Sequence, residues 1–179
     1  MIYVCLADGF EEIEALTPVD LLRRAGKTVI TVGIGDRAVT GSHGIPVLAD
    51  IDDAQIATDG LEAVILPGGM PGTLHLEQSA AVQRLLDYAV AHDLLIGAIC
   101  AAPSILGHKG LLRGKRATCF PGFEEQLDGA TVCGDAVVTD GRIVTACGAG
   151  AAVDFGLRLV GELVSEEQAR ALRAGIQCR

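Results

Sequence analysis

Aromatic side chains are scarce in this chain: they make up 3% of its 179 residues, and tryptophan is absent. Half of the residues are nevertheless hydrophobic. The core must therefore be built mainly from Ala, Val, Ile and Leu, a composition typical of a parallel sheet covered by helices. A chain of this length can bury a sizeable core, so we predict a single α/β domain over residues 1–179.

The chain also lacks an excess of positive charge and long apolar runs. Its formal net charge is −9, which disfavours binding to nucleic acid or to an anionic membrane surface. Charged residues or glycines interrupt the hydrophobic stretches well before the length that spans a bilayer. The opening Met1-Ile2-Tyr3-Val4 has the pattern of a strand, so we expect no signal peptide. These features predict a cytoplasmic protein that binds neither nucleic acid nor membrane.

Six cysteines are present, but none form a C-x-x-C pair, and the four histidines do not fall at zinc-ligand spacings. We therefore predict no bound metal. In a reducing compartment the cysteines are expected to be free thiols. Cys5 has the pattern of a core residue in the first strand. Cys147 follows a late strand and could face the same cleft as Cys100, and the roles of Cys147 and Cys119 stay open.

Strand and helix patterns alternate along the chain, which predicts a parallel sheet with helices on both faces and right-handed crossovers. A flavodoxin-like strand order, 2-1-3-4 and onward, fits the element count. Pro18 is expected to interrupt the first helix, with Thr17 capping a restart. Hairpins are predicted at 38–48 and around Asp140-Gly141. The predicted strands are 2–7, 28–33, 63–66, 93–99, 116–119, 136–139 and 143–146, and the helices are 11–25, 80–92, 100–107, 151–164 and 166–174.

Cys100 has an informative position, because it follows a short buried strand and opens a predicted helix. Such strand-to-helix turns display nucleophiles in α/β enzymes. Backbone N–H groups and the positive end of a helix dipole would favour the thiolate over the thiol. Ligands of open α/β sheets bind at the carboxyl ends of the strands. The loops at 8–14 and 67–72 are therefore expected to meet Cys100 there.

Glu14 is the first candidate partner of Cys100. A carboxyl group buried beside the thiol would have a raised pKa and, when protonated, could donate a hydrogen bond to the thiolate. The alternative is that Glu11, Glu12 and Glu14 simply favour a helix N-terminus. The spacing of these residues alone favours the alternative.

Glycine turns are the second group of candidates. Gly68 and Gly69 would let backbone approach a ligand closely, and the N–H groups of Gly69 and Ala101 could form an oxyanion hole. A tight turn is the alternative role, and the Lys-Ser/Thr ending of a phosphate loop is missing. Gly148 begins a further glycine turn that could close the pocket. His75 is the best placed histidine to approach the cleft, although no Cys–His–Asp arrangement can be identified.

Five segments spread over nearly the whole chain form a specific pattern. They are Asp8-Gly9-Phe10-Glu11-Glu12-Ile13-Glu14, Pro18-Val19-Asp20-Leu21-Leu22-Arg23-Arg24-Ala25-Gly26, Val64-Ile65-Leu66-Pro67-Gly68-Gly69, Ala98-Ile99-Cys100-Ala101-Ala102-Pro103 and Asp154-Phe155-Gly156. Together they resemble the ThiJ/PfpI superfamily, in the branch that contains the Parkinson-disease protein (DJ-one) and its bacterial homologue.

The resemblance implies a flavodoxin-like sandwich and a homodimer. It implies that Cys100 is a reactive, easily oxidised cysteine, that Glu14 is a protonated carboxyl hydrogen-bonded to it, and that Gly69 and Ala101 supply backbone donors. It further implies cofactor-free chemistry on a small reactive aldehyde or a glycated substrate. The reaction would be methylglyoxal-to-lactate conversion or deglycase-type hydrolysis, with oxidative-stress protection. Alternatives are a redox-sensing or chaperone protein that uses oxidation of Cys100, or a role in thiazole monophosphate biosynthesis.

Three departures from the pattern of this family limit the transfer. Phe120 occupies the cleft position where the Parkinson-disease protein has a histidine, which argues against a histidine-assisted mechanism. His43 stands where an interface-crossing arginine is frequent, and Ala149 stands where a proline is frequent. The pocket shape and the dimer contacts are therefore expected to differ.

Overall fold

Strands and helices alternate along the structure, a computed structural model that describes residues 1–178. The strands are β1 (Ile2–Leu6), β2 (Val29–Gly33), β3 (Ala38–Thr40), β4 (Pro46–Leu48), β5 (Ile51–Asp52), β6 (Ala63–Leu66), β7 (Leu95–Ile99), β8 (Arg116–Ala117), β9 (Thr131–Val132), β10 (Val137–Asp140) and β11 (Ile143–Ala146). The helices are α1 (Glu12–Arg24), α2 (Gly72–Gln78), α3 (Ala80–Ala91), α4 (Pro103–His108), α5 (Ala152–Leu163) and α6 (Glu166–Gly175). The predicted α/β alternation is confirmed.

A seven-stranded sheet with the order β10-β11-β7-β6-β1-β2-β5 forms the centre. Its neighbouring strands are parallel, except for the antiparallel pair β10 and β11. The predicted hairpins are confirmed as β3–β4 and β10–β11. Counting only β1, β2, β6, β7 and β11 gives the order 2-1-3-4-5, so the predicted flavodoxin-like topology is also confirmed. None of the helices within residues 1–178 has the length and apolar character needed to span a bilayer.

Hydrophobic clusters lie on both faces of the sheet, because successive side chains of a strand point to opposite faces. One cluster includes Tyr3 and Leu66, and the other includes Ile65 and Phe155. Residue Gly97 in β7 makes room for one of the few aromatic rings, since a Cβ at this position would lie 3.0 Å from Cζ of Phe155. Small side chains in the strands thus let a core with few aromatic residues pack closely.

Helix α1 is continuous, so the predicted interruption at Pro18 is wrong. Glu11 caps the helix instead of Thr17, with its carboxylate accepting the backbone N–H of Glu14 at 2.7 Å. Pro18 removes one donor from the helix. The buried face of α1 nevertheless packs closely on α5, since a Cβ at Gly156 would lie 3.4 Å from the Cα of Pro18. Tertiary packing therefore keeps α1 intact despite its proline.

A first testable prediction concerns the packing of α4, the helix that follows Cys100. A Cβ at Gly107 would lie 2.1 Å from the carbonyl oxygen of Gln126 and 2.8 Å from the Cα of Leu127. Because backbone atoms cannot move aside easily, Gly107→Ala should lower the free energy of unfolding by about 1–3 kcal/mol. Urea unfolding followed by circular dichroism measures this change.

Gly175→Ala is the matched control, because a Cβ at this last residue of α6 would have no neighbour within 4 Å among residues 1–178. The control should change the free energy of unfolding by less than about 0.5 kcal/mol. A Gly107→Ala protein as stable as the control would contradict the close approach of α4 to the backbone at 126–128.

Candidate active site

The carboxyl ends of β1, β6 and β7 bring three loops together, with β6 lying between the other two strands. The N–H of Glu11 donates to the carbonyl of Gly68 at 2.9 Å. Gly69 has a φ of +91°, and a Cβ there would lie 2.4 Å from the carbonyl oxygen of Gly9. The loops after β1 and β6 therefore pack backbone against backbone, which requires glycine at position 69.

Cys100 lies in a turn immediately after β7. It has a φ of +65°, which is uncommon for a residue with a side chain and marks functional turns. Its N–H donates to the carbonyl of Ala146 at 2.9 Å, and its carbonyl accepts the N–H of Phe120 at 2.8 Å. The backbone of Cys100 is therefore fixed between β11 and the segment that follows α4.

Helix α4 begins at Pro103, so the prediction that Cys100 opens this helix is wrong. The positive φ of Cys100 is not helical, while Pro103 suits the first position of a helix. Two turn residues, Ala101 and Ala102, separate the thiol from the helix. Any stabilisation of a thiolate must therefore come from nearby backbone N–H groups and side chains rather than from the start of α4.

Glu14 is buried, with 1% of its surface exposed. Its carboxylate accepts the N–H of Gly68 at 2.9 Å and contacts the thiol of Cys100. Burial is the main cause that raises the pKa of Glu14 to about 7, and the negative charge of Glu11 adds to the increase. Because Glu11 caps α1, the side chain of Glu14 has a role other than starting the helix.

The environment of Cys100 depends on the protonation of Glu14. Burial, followed by the charge and hydrogen bonding of Glu14, raises the pKa of Cys100 to about 12, whereas the N–H groups of Ala101 and Gly69 act to lower it. An ionised Glu14 thus keeps the thiol protonated. A protonated Glu14 would instead act as a hydrogen-bond donor to the thiolate, together with the two backbone N–H groups. The carboxyl and the thiol form one coupled pair.

Gly68 makes this pairing possible. A Cβ at Gly68 would lie 2.6 Å from Cβ of Cys100 and 2.7 Å from Oε2 of Glu14. Any side chain at position 68 would therefore come between the acid and the thiol. Gly68 forms a turn, as one interpretation of the sequence predicted. Because it has no side chain, it also leaves room for the carboxyl of Glu14 to contact the thiol of Cys100.

Phe120 and Gly148 border the pair. Phe120 is 47% exposed, and a Cβ at Gly148 would lie 3.2 Å from Cδ2 of this ring and 4.0 Å from Oε1 of Glu14. Ala149 follows in the short 3₁₀ turn that leads into α5. A flat, half-exposed aromatic ring thus occupies the rim beside the acid.

His75 is not brought together with the pair. This histidine is exposed in α2, and its Nδ1 lies 2.9 Å from the carbonyl oxygen of Asp8. Within residues 1–178 it makes no hydrogen bond to Cys100 or Glu14. The structure therefore gives the predicted pocket residue His75 a contact with the loop after β1 instead.

Glu12 has a role that the sequence did not reveal. This carboxylate is 5% exposed and accepts the N–H groups of His43 at 2.9 Å and Ile45 at 3.4 Å. Its other oxygen lies 2.9 Å from Nδ1 of His43. Glu12 therefore attaches the β3–β4 hairpin to the first turn of α1, and the run of glutamates contained no signal that could separate the three roles.

One group of side chains in the described part of the chain has donor atoms arranged for a metal ion. These atoms belong to Glu11, Glu12 and His43 and lie within 4.8 Å of one another. Both carboxylates already accept hydrogen bonds, from Glu14 and from the β3–β4 hairpin. The hydrogen bond and charge of Glu12 raise the pKa of His43. The group is thus fully accounted for as a cap and a hairpin anchor.

Comparison with known proteins identifies relatives over almost the whole chain. The chain is 38% identical over 176 residues to "Protein dj-1beta" of Drosophila melanogaster, covering 97% of this chain and 94% of the relative. It is 31% identical over 164 residues to "Glutathione-independent glyoxalase DJR-1.2" of Caenorhabditis elegans, covering 90% and 87% of the two chains.

The fold is shared with a solved structure of Toxoplasma gondii DJ-1 in an oxidised form. That structure superimposes with a TM-score of 0.94 at 34% identity, covering 98% of this chain and 97% of the other. The model of the DJ-1/PfpI family matches residues 1–162. The resemblance recognised in the sequence is therefore confirmed, and the chain belongs to the DJ-1/PfpI family.

Proposed function

We propose that this protein is a cysteine-dependent, cofactor-free enzyme that acts on small reactive aldehydes in the cytoplasm, converting methylglyoxal to lactate. The observation that carries the proposal is the buried contact between Glu14 and Cys100, with the N–H groups of Gly69 and Ala101 beside the sulfur. A relative named as a glutathione-independent glyoxalase supports the same reaction class. Deglycase-type hydrolysis of glycated substrates would use the same groups.

The reaction would begin with the proton of the pair on Glu14 and the negative charge on sulfur. Burial raises the pKa of Glu14 to about 7, so a proton on this carboxyl is available near neutral pH. The thiolate attacks the aldehyde carbon, and the carbonyl oxygen takes up a proton to give a hemithioacetal. The backbone N–H groups of Gly69 and Ala101 would stabilise the negative charge that develops on this oxygen.

Glu14, now ionised, would then serve as the general base. It carries the proton of the former aldehyde carbon to the adjacent carbon in two transfers, through an enediol, and the hydroxyl proton of the hemithioacetal passes to the former ketone oxygen, so that a thioester forms. Water hydrolyses the thioester, which releases lactate and regenerates the sulfur group. The balance is methylglyoxal plus water giving lactic acid. Because Phe120 cannot transfer protons, this mechanism assigns both proton transfers to Glu14.

A redox-responsive protective protein is the second candidate, and the same pair favours it. A peroxide could oxidise the thiolate of Cys100 to a sulfinate, and a protonated Glu14 together with the N–H groups of Gly69 and Ala101 would stabilise that anion. Protection against oxidative stress and aldehyde turnover are compatible, since both depend on the same sulfur. Chaperone activity and thiazole monophosphate biosynthesis have no comparable support in the geometry of the site.

A homodimer is part of the proposal, and the partner is a second copy of this chain. Four large apolar side chains are exposed on the outer face of α1 and on the adjoining hairpin: Ile13 at 55%, Leu16 at 38%, Ile45 at 53% and Leu48 at 71%. Glu12 joins these two elements. Exposed apolar side chains grouped on two joined elements are typical of protein–protein contacts, and Ile13 directly precedes Glu14 in α1.

The dimer is tested with Ile13→Glu. A charge at this exposed position should make the proposed contact unfavourable and convert a dimeric wild type into a monomer, as measured by size-exclusion chromatography with light scattering. Val90→Glu on α3 is the matched control, because Val90 is 51% exposed but lies on another helix. The control should remain dimeric. A monomeric wild type, or a dimeric Ile13→Glu protein, would contradict the proposed interface.

The activity is tested with Cys100→Ala and Glu14→Gln. Loss of the nucleophile or of the only side chain assigned to proton transfer should reduce kcat/KM for methylglyoxal by about 100-fold or more. Lactate formation measures this directly. Cys133→Ala is the control, because this cysteine lies after β9 and should leave turnover unchanged. Equal turnover by wild type and Cys100→Ala would exclude the proposed mechanism.

The position of the shared proton is tested by the pH dependence of iodoacetamide alkylation at Cys100. If Glu14 holds the proton while sulfur is charged, Glu14→Leu removes a hydrogen-bond donor and no charge, so the pKa of Cys100 should rise. If Glu14 is ionised while the thiol keeps its proton, the same change removes a negative neighbour, and the pKa should fall. The proposed enzyme requires the increase.

Glu14→Gln is the matched variant for this measurement, because its amide can still donate a hydrogen bond to the sulfur. It should shift the pKa of Cys100 less than Glu14→Leu does. With the proton on Glu14, as the mechanism requires, the wild-type value should lie below the roughly 8.5 of a free thiol, whereas an ionised Glu14 keeps the pKa of Cys100 raised. A fall in pKa with Glu14→Leu would mean that Glu14 suppresses the thiolate instead of supporting it.

A further inference from the structure

Cys100 and Cys147 directly follow the ends of two neighbouring parallel strands, β7 and β11. The last residues of β7 and β11 that pair in register are Ile99 and Ala146, each directly preceding one of the cysteines. The N–H of Cys100 still donates to the carbonyl of Ala146 at 2.9 Å. Neighbouring strands lie about 4.8 Å apart, which is within the Cα separation of about 4.4–6.8 Å that a disulfide spans.

The two cysteine side chains also share surroundings. Both pack against the same hydrophobic cluster, the one that contains Ile99 and Ala146, and both are partly exposed. In a regular strand, Cys100 would point to the face opposite Ile99. Its φ of +65° interrupts that alternation. The positive φ of Cys100 therefore agrees with the packing of its side chain on the same hydrophobic cluster as Cys147.

Two other cysteines are placed differently. Cys5 and Cys119 are buried in the cluster on the opposite side of the sheet. Burial raises the pKa of Cys5 to about 12 and is also the main cause that raises the pKa of Cys119 to about 11. Both thiols are enclosed in the core, whereas Cys100 is partly exposed, so a peroxide reaches Cys100 more easily than either of them. Cys147 combines a position next to Cys100 with partial exposure.

We propose that Cys100 and Cys147 form a reversible disulfide, with Cys147 as the resolving thiol after a peroxide has oxidised Cys100. In the first step, which rests on the reactivity proposed for Cys100, the thiolate attacks a peroxide oxygen. The O–O bond breaks, and a sulfenic acid and hydroxide (or an alkoxide) form. In the second step the sulfur of Cys147 attacks the sulfenic sulfur, and the S–OH oxygen leaves as water with the proton of the Cys147 thiol.

This disulfide would have two consequences for the site. It stops oxidation of Cys100 before the sulfinate stage, which ordinary thiol reductants do not reverse. It also removes the nucleophile from aldehyde chemistry until a dithiol reductant restores both thiols. Carbonyl turnover would therefore be switched off by peroxide and recovered on reduction.

The test exposes fully reduced protein to two equivalents of hydrogen peroxide, the amount that a sulfinate requires, and measures intact mass without reductant. The wild type should lose two hydrogens and yield a peptide cross-linked between Cys100 and Cys147, whereas Cys147→Ser should gain two oxygens at Cys100. Cys119→Ser is the control and should behave as the wild type. Dithiothreitol should restore turnover in the oxidised wild type but not in the oxidised Cys147→Ser protein. Before oxidation, turnover by Cys147→Ser should equal that of the wild type.

A second oxidant separates this inference from the proposed function. Diamide takes up the two hydrogens of a thiol pair directly, so it tests the pairing even if peroxide does not oxidise Cys100. A Cys100–Cys147 link with diamide alone would support the pairing and overturn the peroxide route together with the proposed reactivity of Cys100. No such link with either oxidant would overturn the inference. Sulfinate formation at equal rates in the wild type and Cys147→Ser would also overturn it, while the proposed enzyme would stand.

Discussion

Burial of the Glu14 carboxyl against the Cys100 thiol is the constraint on which the rest of the site depends. A carboxylate removed from water without a cation is strongly disfavoured. The structure gives Glu14 one backbone donor, the N–H of Gly68, and a thiol. Burial therefore raises the pKa of the Glu14 carboxyl, so that a proton is available inside the site at neutral pH. That proton links the state of the acid to the state of the sulfur.

The fold supplies the rigidity that such a pair requires. Strand β6 lies between β1 and β7, so the segments that lead to Glu14 in α1, to Gly68 and to Cys100 leave the sheet side by side. This is the position where the strand order of a flavodoxin-like sheet reverses and where ligands bind. Close backbone contact at Gly69 and the hydrogen bonds of the Cys100 backbone hold the loops together. Positioning by main chain rather than by long side chains reduces the freedom of the reacting groups.

Local signals made part of this structure predictable from the sequence. Alternating apolar strands and amphipathic helices gave the sheet order, and a cysteine directly after a buried strand identified Cys100. The signals for Pro18 and for the start of α4 were misleading, because propensities do not include the packing of α1 on α5 or the positive φ of Cys100. Helix α2 and strand β5 were missed, since the first contains glycine and histidine and the second is two residues long. The separate partners of Glu11, Glu12 and Glu14 depend on segments distant in sequence, so no local pattern could assign them.

Two residues, Phe120 at the position of a histidine in the family and Cys147 after β11, both affect the chemistry of the Cys100 sulfur. An aromatic ring at the rim cannot share the proton of the pair, so the charge on sulfur follows the state of Glu14 alone. The same thiolate that would attack an aldehyde would also react with a peroxide, and excluding one of these small electrophiles while admitting the other is difficult for a partly exposed sulfur. Cys100 must then be protected by a reaction that reverses its oxidation, because the site does not exclude the peroxide. A second thiol directly after β11 is placed where such protection needs a partner, because the register of β7 and β11 aligns the residues that precede the two cysteines. The geometry of the sheet therefore connects the reactivity of Cys100 with a means of reversing its oxidation.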